Sequence, residues 1–337
     1  MSLVRLLDEE GPVRDFFVAN FSGAKNVRTS CSQIPVGRLM YPPSLSAVRG
    51  LRPSSWSGGD AIIKPQSAKY PWATVGTAFD YLARLLLGER DLEGFIAFDG
   101  ADRLAKHFRM RNQLSSVLEL RKKLEVEVRE ISKPGILGSS ALLSSLAESS
   151  YALAIFEQCF RSSINPEWPV VVLGKRANLA DVLNTAPPGV IDDLEELARL
   201  LIGSQPELFA ASSYFFNPRF GIGSQMLDGA DADLIVDGRL IEIKTNRTAK
   251  IEQKDLWQIV GYALSDFDEQ FSISEVGIYF SRHGIQIIWK LDDLIELLAG
   301  EKKAFENLQA SLRRVLERRG YRTATGFTVS IQWPSES

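Results

Sequence analysis

One stretch constrains the fold more than any other. Two apolar runs, Leu234 to Val236 and Arg239 to Ile243, flank the dipeptide Asp237-Gly238. Asp-Gly between such runs is a strong short-range hairpin signal, and a two-residue type I′ turn fixes which residues face each other. With Asp237 and Gly238 as the loop, Val236 faces Arg239, Ile235 faces Leu240 and Leu234 faces Ile241. Continuing outward, Asp233 falls opposite Glu242 and Asp231 opposite Lys244. Side chains alternate with period two, so Asp231, Asp233, Glu242 and Lys244 share one face, and Leu234, Val236, Ile241 and Ile243 share the other.

Two carboxylates opposed across a hairpin repel each other. A divalent cation resolves the repulsion. Hard oxygen ligands on adjacent strands suit Mg²⁺ or Mn²⁺; Mg²⁺ takes one or two protein carboxylates and completes its shell with water and substrate phosphate. A lysine two residues beyond the second carboxylate, on the same face, can orient or deprotonate an attacking water or neutralise charge building on phosphorus. The reaction class that needs all of these groups is phosphodiester hydrolysis. The plain alternative is an ordinary α+β protein in which Asp231 pairs with Lys244 and Asp233 faces solvent.

After a short polar link comes a helical pattern. At about 100° per residue, Leu256, Val260, Ala263, Leu264 and Phe267 form one core-facing stripe with Trp257 at its margin. Gln258 and Tyr262, one turn apart on the opposite flank, are expected to face a groove instead of the core.

Asp233 followed by Glu242-Ile243-Lys244 resembles the PD-(D/E)xK nuclease signature, with Ala232 in the loose proline position. Gln258-Ile-Val-Gly-Tyr262 is similar to the QxxxY element of the RecB-like branch of that superfamily. The resemblance implies a restriction-endonuclease-like α/β (α+β) core, a mixed central sheet flanked by helices. It further implies metal held by Asp233, Glu242 and the Ile243 carbonyl. Lys244 would activate water or steady the transition state, and Gln258 and Tyr262 would position substrate phosphate or the lysine. Gly76-Thr77-Ala-Phe-Asp80 looks like the G-T-x-x-H helix of RecB-like nucleases, with Asp80 where a histidine ligand stands, so Asp80 is a further metal candidate.

Composition narrows the chemistry. The 337 residues are 45% hydrophobic and 24% charged, as in a soluble globular chain. No apolar run approaches a membrane span and the N-terminal stretch lacks a signal peptide's apolar segment, which gives a cytoplasmic expectation. Cys31 and Cys159 offer neither zinc spacing nor a disulfide framework. His107 and His283 are the only histidines, so carboxylates and lysine must carry the chemistry. A net charge of −3 disfavours a general nucleic-acid coat but allows a nuclease with a local basic rim. Lys250, Lys254, Arg313, Arg314, Arg318, Arg319 and Arg322 are the rim candidates.

In chain order, residues 1–70 read as a partly irregular arm with one short helix from Val4 to Asn20. Residues 71–205 read as mostly helical. A first core helix spans 74–88, with Thr74 as N-cap and Gly88 as stop. Helical spacing recurs at Leu114, Val117, Leu118, Leu124 and Val128. After a Pro134-Gly135 break, helices follow over Ala141–Phe160, Asn178–Asn184 and Asp192–Ile202, the last capped by Asp192 or Asp193 and closed by Gly203. Glu195, Glu196 and Glu207 are alternatives to Asp80. Residues 206–337 read as the nuclease core: a strand over Ser212–Phe220, the hairpin, the Gln258 helix, strands Glu275–Ser281 and Ile285–Lys290, one helix from Leu291 to about Arg319, and a strand around Phe327–Trp333.

The expectation is therefore a Mg²⁺- or Mn²⁺-dependent nuclease acting on nucleic acid, DNA above all, with no membrane partner. By resemblance, isolated nucleases of this kind suit phage defence or DNA processing. No ATP-binding signature is present, so a helicase, ATPase or regulator would be a separate chain. The alternative from another class is a catalytically inactive nucleic-acid-binding or scaffold subunit of the same fold.

Overall fold

Asp237 and Gly238 take φ of 47° and 76°, the two left-handed residues that a type I′ turn demands. The hairpin they close sits inside the sheet of the computed structural model, which describes residues 3–21, 29–30, 38–40, 61, 63–65, 70–110, 114–132, 137, 139–319, 321–322 and 328–329.

The main sheet has six strands: β1 (Arg38–Met40), β2 (Tyr214–Phe216), β3 (Leu234–Val236), β4 (Arg239–Lys244), β5 (Glu275–Phe280) and β6 (Ile285–Lys290), in the order β1-β6-β5-β4-β3-β2. The hairpin register is the expected one: Leu234 pairs with Ile241, Ile235 with Leu240 and Val236 with Arg239. The β4–β5 pair is parallel, Arg239 opposite Glu275 through Lys244 opposite Phe280, and the other pairs are antiparallel. A parallel neighbour requires a crossover. The chain makes it through the helix carrying Gln258.

The longer helices are α1 (Leu3–Asp8), α2 (Pro12–Asn20), α3 (Trp72–Leu87), α4 (Ile96–His107), α5 (Ser115–Ile131), α6 (Ser140–Arg161), α7 (Val190–Ser204), α8 (Gln253–Ser265), α9 (Leu291–Ala299) and α10 (Phe305–Arg319). Alternation on β3 and β4 divides the interior in two. Leu234, Val236 and Ile241 pack with α3 to α7. Ile235 and Leu240 pack with α1, α2, α8, α9 and α10 on the other side. The helices of residues 71–205 thus share a core with the sheet, and α1 and α2 belong to the opposite layer.

Several elements differ from the sequence reading. The single helix over Val4–Asn20 is two, because Gly11-Pro12 restarts the chain with proline at the first helical position. The Thr74 cap is not used: the Pro71 carbonyl accepts the Val75 amide at 2.9 Å, so α3 starts earlier. Gly88 does close it in the left-handed region. Helix α7 starts behind Gly189 and runs through Gly203, and Asp193 is buried in an ion pair instead of capping. Gly300, at φ 77° with its amide on the Glu296 carbonyl, splits the Leu291–Arg319 segment into α9 and α10. The first strand is only Tyr214–Phe216, ending where Asn217 turns to φ 47°. Of the expected last strand, Thr328–Val329 pairs with Tyr321–Arg322; Phe327, residues 330–333, the Pro134-Gly135 break and residues 41–60 of the arm lie outside the described residues.

Candidate active site

Where β3 ends, the Asp233 side chain extends the ladder: its Oδ2 accepts the Ile243 amide at 2.6 Å. Asp233 lies beyond the last paired residue, Leu234, and this bond holds it beside β4, where the register expects it. The same stretch of β4 brings Glu242 and Lys244, and α8 brings Gln258 and Tyr262. Asp80 from α3, with Glu157 and Arg161 from α6, reaches the same place from the helical layer. All of these line one cavity of about 310 Å³, together with Asp231 and Ile243.

Lys244 Nζ donates to Glu242 Oε1 at 3.1 Å and to Gln258 Oε1 at 3.0 Å, and stands 3.4 Å from Asp255 Oδ1. Gln258 Nε2 donates to Glu242 Oε1 at 2.9 Å and to the Tyr262 hydroxyl at 3.0 Å. One amide therefore links strand and helix through both of its ends. Asp231 is held by Arg161 at 3.4 Å, so the plain alternative's pairing of Asp231 with Lys244 is not the one made. Arg161 also pairs with Glu157, which accepts from the Tyr81 hydroxyl. Asp80 accepts from Arg84 at 3.2 Å.

Gln258 and Tyr262 do line the cavity, as their flank of α8 suggests, but that flank is not an exposed one. Gln258 and Tyr262 are 3% and 2% exposed, and the whole run from Leu256 to Ser265 is buried. Helices α1 and α2 cover the side away from the sheet: a Cβ at Gly261 would lie 2.6 Å from Leu3 Cδ2 and 3.0 Å from Phe17 Cζ. Gln258 and Tyr262 line the cavity, and Phe220 stacks on the Tyr262 ring.

Burial raises Asp233 well above the usual carboxylate range, and the charges of Glu242 and Asp80 add to it. Glu242 is raised by burial, with Lys244 acting against the rise. Asp80 is pushed up to about 6 by burial, opposed by Arg84 and reinforced by Glu157. Burial works against the Lys244 charge, but Glu242, Asp255 and Asp233 outweigh it and hold Lys244 above the ordinary lysine value. The lysine is therefore a fixed cation among acids.

Glu242 Oε2 and Asp80 Oδ1 are buried and have no hydrogen-bond partner among the described residues. An unsatisfied buried acceptor costs about 1–3 kcal/mol, more when charged. Two such oxygens in a cavity lined by Asp80, Glu157, Asp231, Asp233 and Glu242 form a hard donor set that suits Mg²⁺ or Mn²⁺. Among the described residues no three His, Cys, Asp or Glu side chains are gathered closely enough to form a ready-made metal cage.

Some expected residues lie elsewhere. Glu195 pairs with Arg199 and Ser140, and neither it nor Glu196 nor Glu207 lines the cavity. Glu157, Arg161 and Asp255 were missed; the first two come from a helix whose place against the hairpin no local signal gives. None of Lys250, Lys254, Arg313, Arg314, Arg318 and Arg319 lines the cavity. Lys254 pairs with Asp8 and Glu252, Arg313 with Glu317 and Arg319 with Asp228. The Arg322 side chain and Cys31 lie outside the described residues, and Cys159 is buried as a free thiol. No helix among the described residues is long and apolar enough to cross a membrane.

No family model matches the chain, and neither a curated protein nor a solved structure matches it.

Proposed function

We propose that this protein is a Mg²⁺- or Mn²⁺-dependent nuclease with a restriction-endonuclease-like core, hydrolysing phosphodiester bonds of DNA. The observation that carries the reading is the convergence of Asp233, Glu242, Lys244 and Gln258 on one cavity in which Glu242 Oε2 and Asp80 Oδ1 are buried without a donor. The sheet supports it too: an antiparallel β2-β3-β4 meander, a crossover helix, then β5 parallel to β4.

Asp233, Glu242 and Asp80 would hold the metal, with Ile243 on the same wall. Bound there, a divalent ion supplies Lewis-acid polarisation of the phosphate and a more acidic water. The chain's own groups do the rest. The Ile243 amide fixes the Asp233 carboxylate. Lys244 and Gln258 both bind Glu242 Oε1, which leaves Oε2 as the oxygen with no protein partner. Lys244, held among Glu242, Asp255 and Asp233, would donate to a phosphoryl oxygen and stabilise charge developing on phosphorus, or orient the attacking water. Tyr262 holds Gln258, and Gln258 holds the lysine, at the cavity wall.

Calorimetric titration with Mn²⁺ tests the site. The wild-type protein should bind the ion, and Glu242→Gln and Asp233→Asn should each weaken binding by tenfold or more, on the order of the loss expected for a ligand or its support. A folded wild-type protein that takes up no Mn²⁺ would sink the proposal.

A further inference from the structure

A second depression, of about 500 Å³, lies at the open edge of the sheet along β2. Asn217 lines both this groove and the acidic cavity, so the two meet at that residue. On either side of β2, the Asn217 amide donates to the Asp233 carbonyl and the Ser213 carbonyl accepts from the Asp237 amide, which by alternation leaves the backbone groups of Tyr214 and Phe216 on the open edge.

The groove's chemistry differs from the cavity's. Phe215 is 42% exposed and meets Phe271 edge to face, centroids 5.0 Å apart. Tyr214 and Phe216 stack at 5.7 Å on the other face of the strand. Arg219 is exposed and has no partner among the described residues, and Arg90 has only the carbonyls of Leu85 and Glu89, with no carboxylate. Of the groove's two acids, Glu89 is neutralised by Arg84 at 2.6 Å, which leaves Asp91 against two uncompensated guanidinium groups.

We propose that this groove binds an unpaired nucleic-acid strand, with bases stacked on the exposed Phe215 and phosphates held by Arg219 and Arg90, and leads that strand past Asn217 to the acidic cavity. The occupant rests on the nuclease reading; the groove's chemistry is independent of it. Aromatic rings beside cationic groups are what single strands use, because unpaired bases expose their faces whereas a duplex keeps its bases stacked inside. Continuity with a cavity built for a phosphodiester favours nucleic acid over an extended peptide added to the strand edge.

The test uses the full chain with Ca²⁺ present, and fluorescence anisotropy of a labelled oligothymidylate and of a labelled blunt duplex, each checked afterwards for intactness. The single strand should bind about tenfold more tightly than the duplex, within the range stacking of one base provides. Phe215→Ala should erase most of that preference. Arg219→Gln, at an exposed and unpaired position that the fold does not depend on, should weaken single-strand binding severalfold and reduce its salt dependence by about one phosphate contact. Equal affinity for the two oligonucleotides, or wild-type binding by both variants, would overturn the groove. Single-strand binding without cleavage in Mg²⁺ or Mn²⁺ would leave the groove standing and remove the nuclease reading; cleavage unaffected by both substitutions would do the reverse.

Discussion

The Lys244 ammonium donates to Gln258 Oε1 at 3.0 Å, joining strand β4 to helix α8 inside the candidate site. Gln258 also donates to Glu242 and Tyr262, so its removal takes a bond from three partners; Lys244 and Glu242 keep each other, and the Tyr262 hydroxyl loses its bond. Gln258→Leu, close in size and without polar atoms, should lower the unfolding free energy by about 1–3 kcal/mol, read as a lower urea midpoint, and should reduce any cleavage rate as well. An unchanged midpoint would mean that the bonds contribute nothing net.

Asp80 gives a pH dependence with a definite sign. Its value in the folded protein is raised from 3.8 to about 6 by burial, Arg84 opposing and Glu157 reinforcing. The folded state therefore holds this proton more tightly than the unfolded chain does. The resulting stabilisation is present below pH 3.8 and is lost as pH rises through about 6. In EDTA, the Asp80 contribution should fall by about 1–3 kcal/mol across that window, and Asp80→Asn should flatten the curve of melting temperature against pH. Mn²⁺ affinity should rise over the same interval, because ligation requires the ionised carboxylate. An Asp80→Asn protein with the wild-type slope would contradict the assignment.

Arg282 and Asp193 form a buried pair, at 0% and 2% side-chain exposure, with contacts of 2.8 and 2.7 Å. Tyr70 bonds to both partners, and the Arg282 guanidinium lies over the rings of Tyr70 and Trp72. Breaking such a pair leaves an uncompensated buried charge. Arg282→Met should cost about 3–5 kcal/mol, and the double substitution with Asp193→Leu should recover part of that loss. Chemical denaturation of the two singles and the double reads the coupling directly; strict additivity would deny it.

Helices α4 and α6 touch backbone to backbone at Gly100. A Cβ there would lie 1.9 Å from the Phe156 carbonyl oxygen. Gly100→Ala should therefore destabilise by about 1–3 kcal/mol or more through forced separation of the helices, visible as a lowered melting temperature. A neutral substitution would mean that the helices separate without loss.

The hairpin was legible because its determinants are local. Asp237-Gly238 sets the turn, the turn sets the register, and period-two alternation then puts Asp233, Glu242 and Lys244 together. The burial of Gln258 and Tyr262 was not legible: the wheel shows one apolar stripe on α8, while α1 and α2, more than 200 residues away in sequence, cover its other side. Glu157 and Arg161 were invisible for the same reason. They sit on α6, where an acid and a base four apart read as a solvated pair, and only tertiary packing brings them to the cavity. Gly300 was a legible stop that the apolar spacing of α9 and α10 concealed.

The central claim is tested most directly by incubating the purified protein with labelled single- and double-stranded DNA and RNA in Mg²⁺ and in Mn²⁺, beside Asp233→Ala and Lys244→Ala proteins shown by circular dichroism to be folded. The account predicts metal-dependent cleavage of DNA by the wild type, abolished by EDTA and reduced at least a hundredfold, roughly 2.7 kcal/mol of lost transition-state stabilisation, in both variants. Cleavage that persists in Asp233→Ala and Lys244→Ala, or a folded wild-type protein that cuts no nucleic acid in either metal, would contradict it, and the second result would favour a catalytically inactive nucleic-acid-binding subunit.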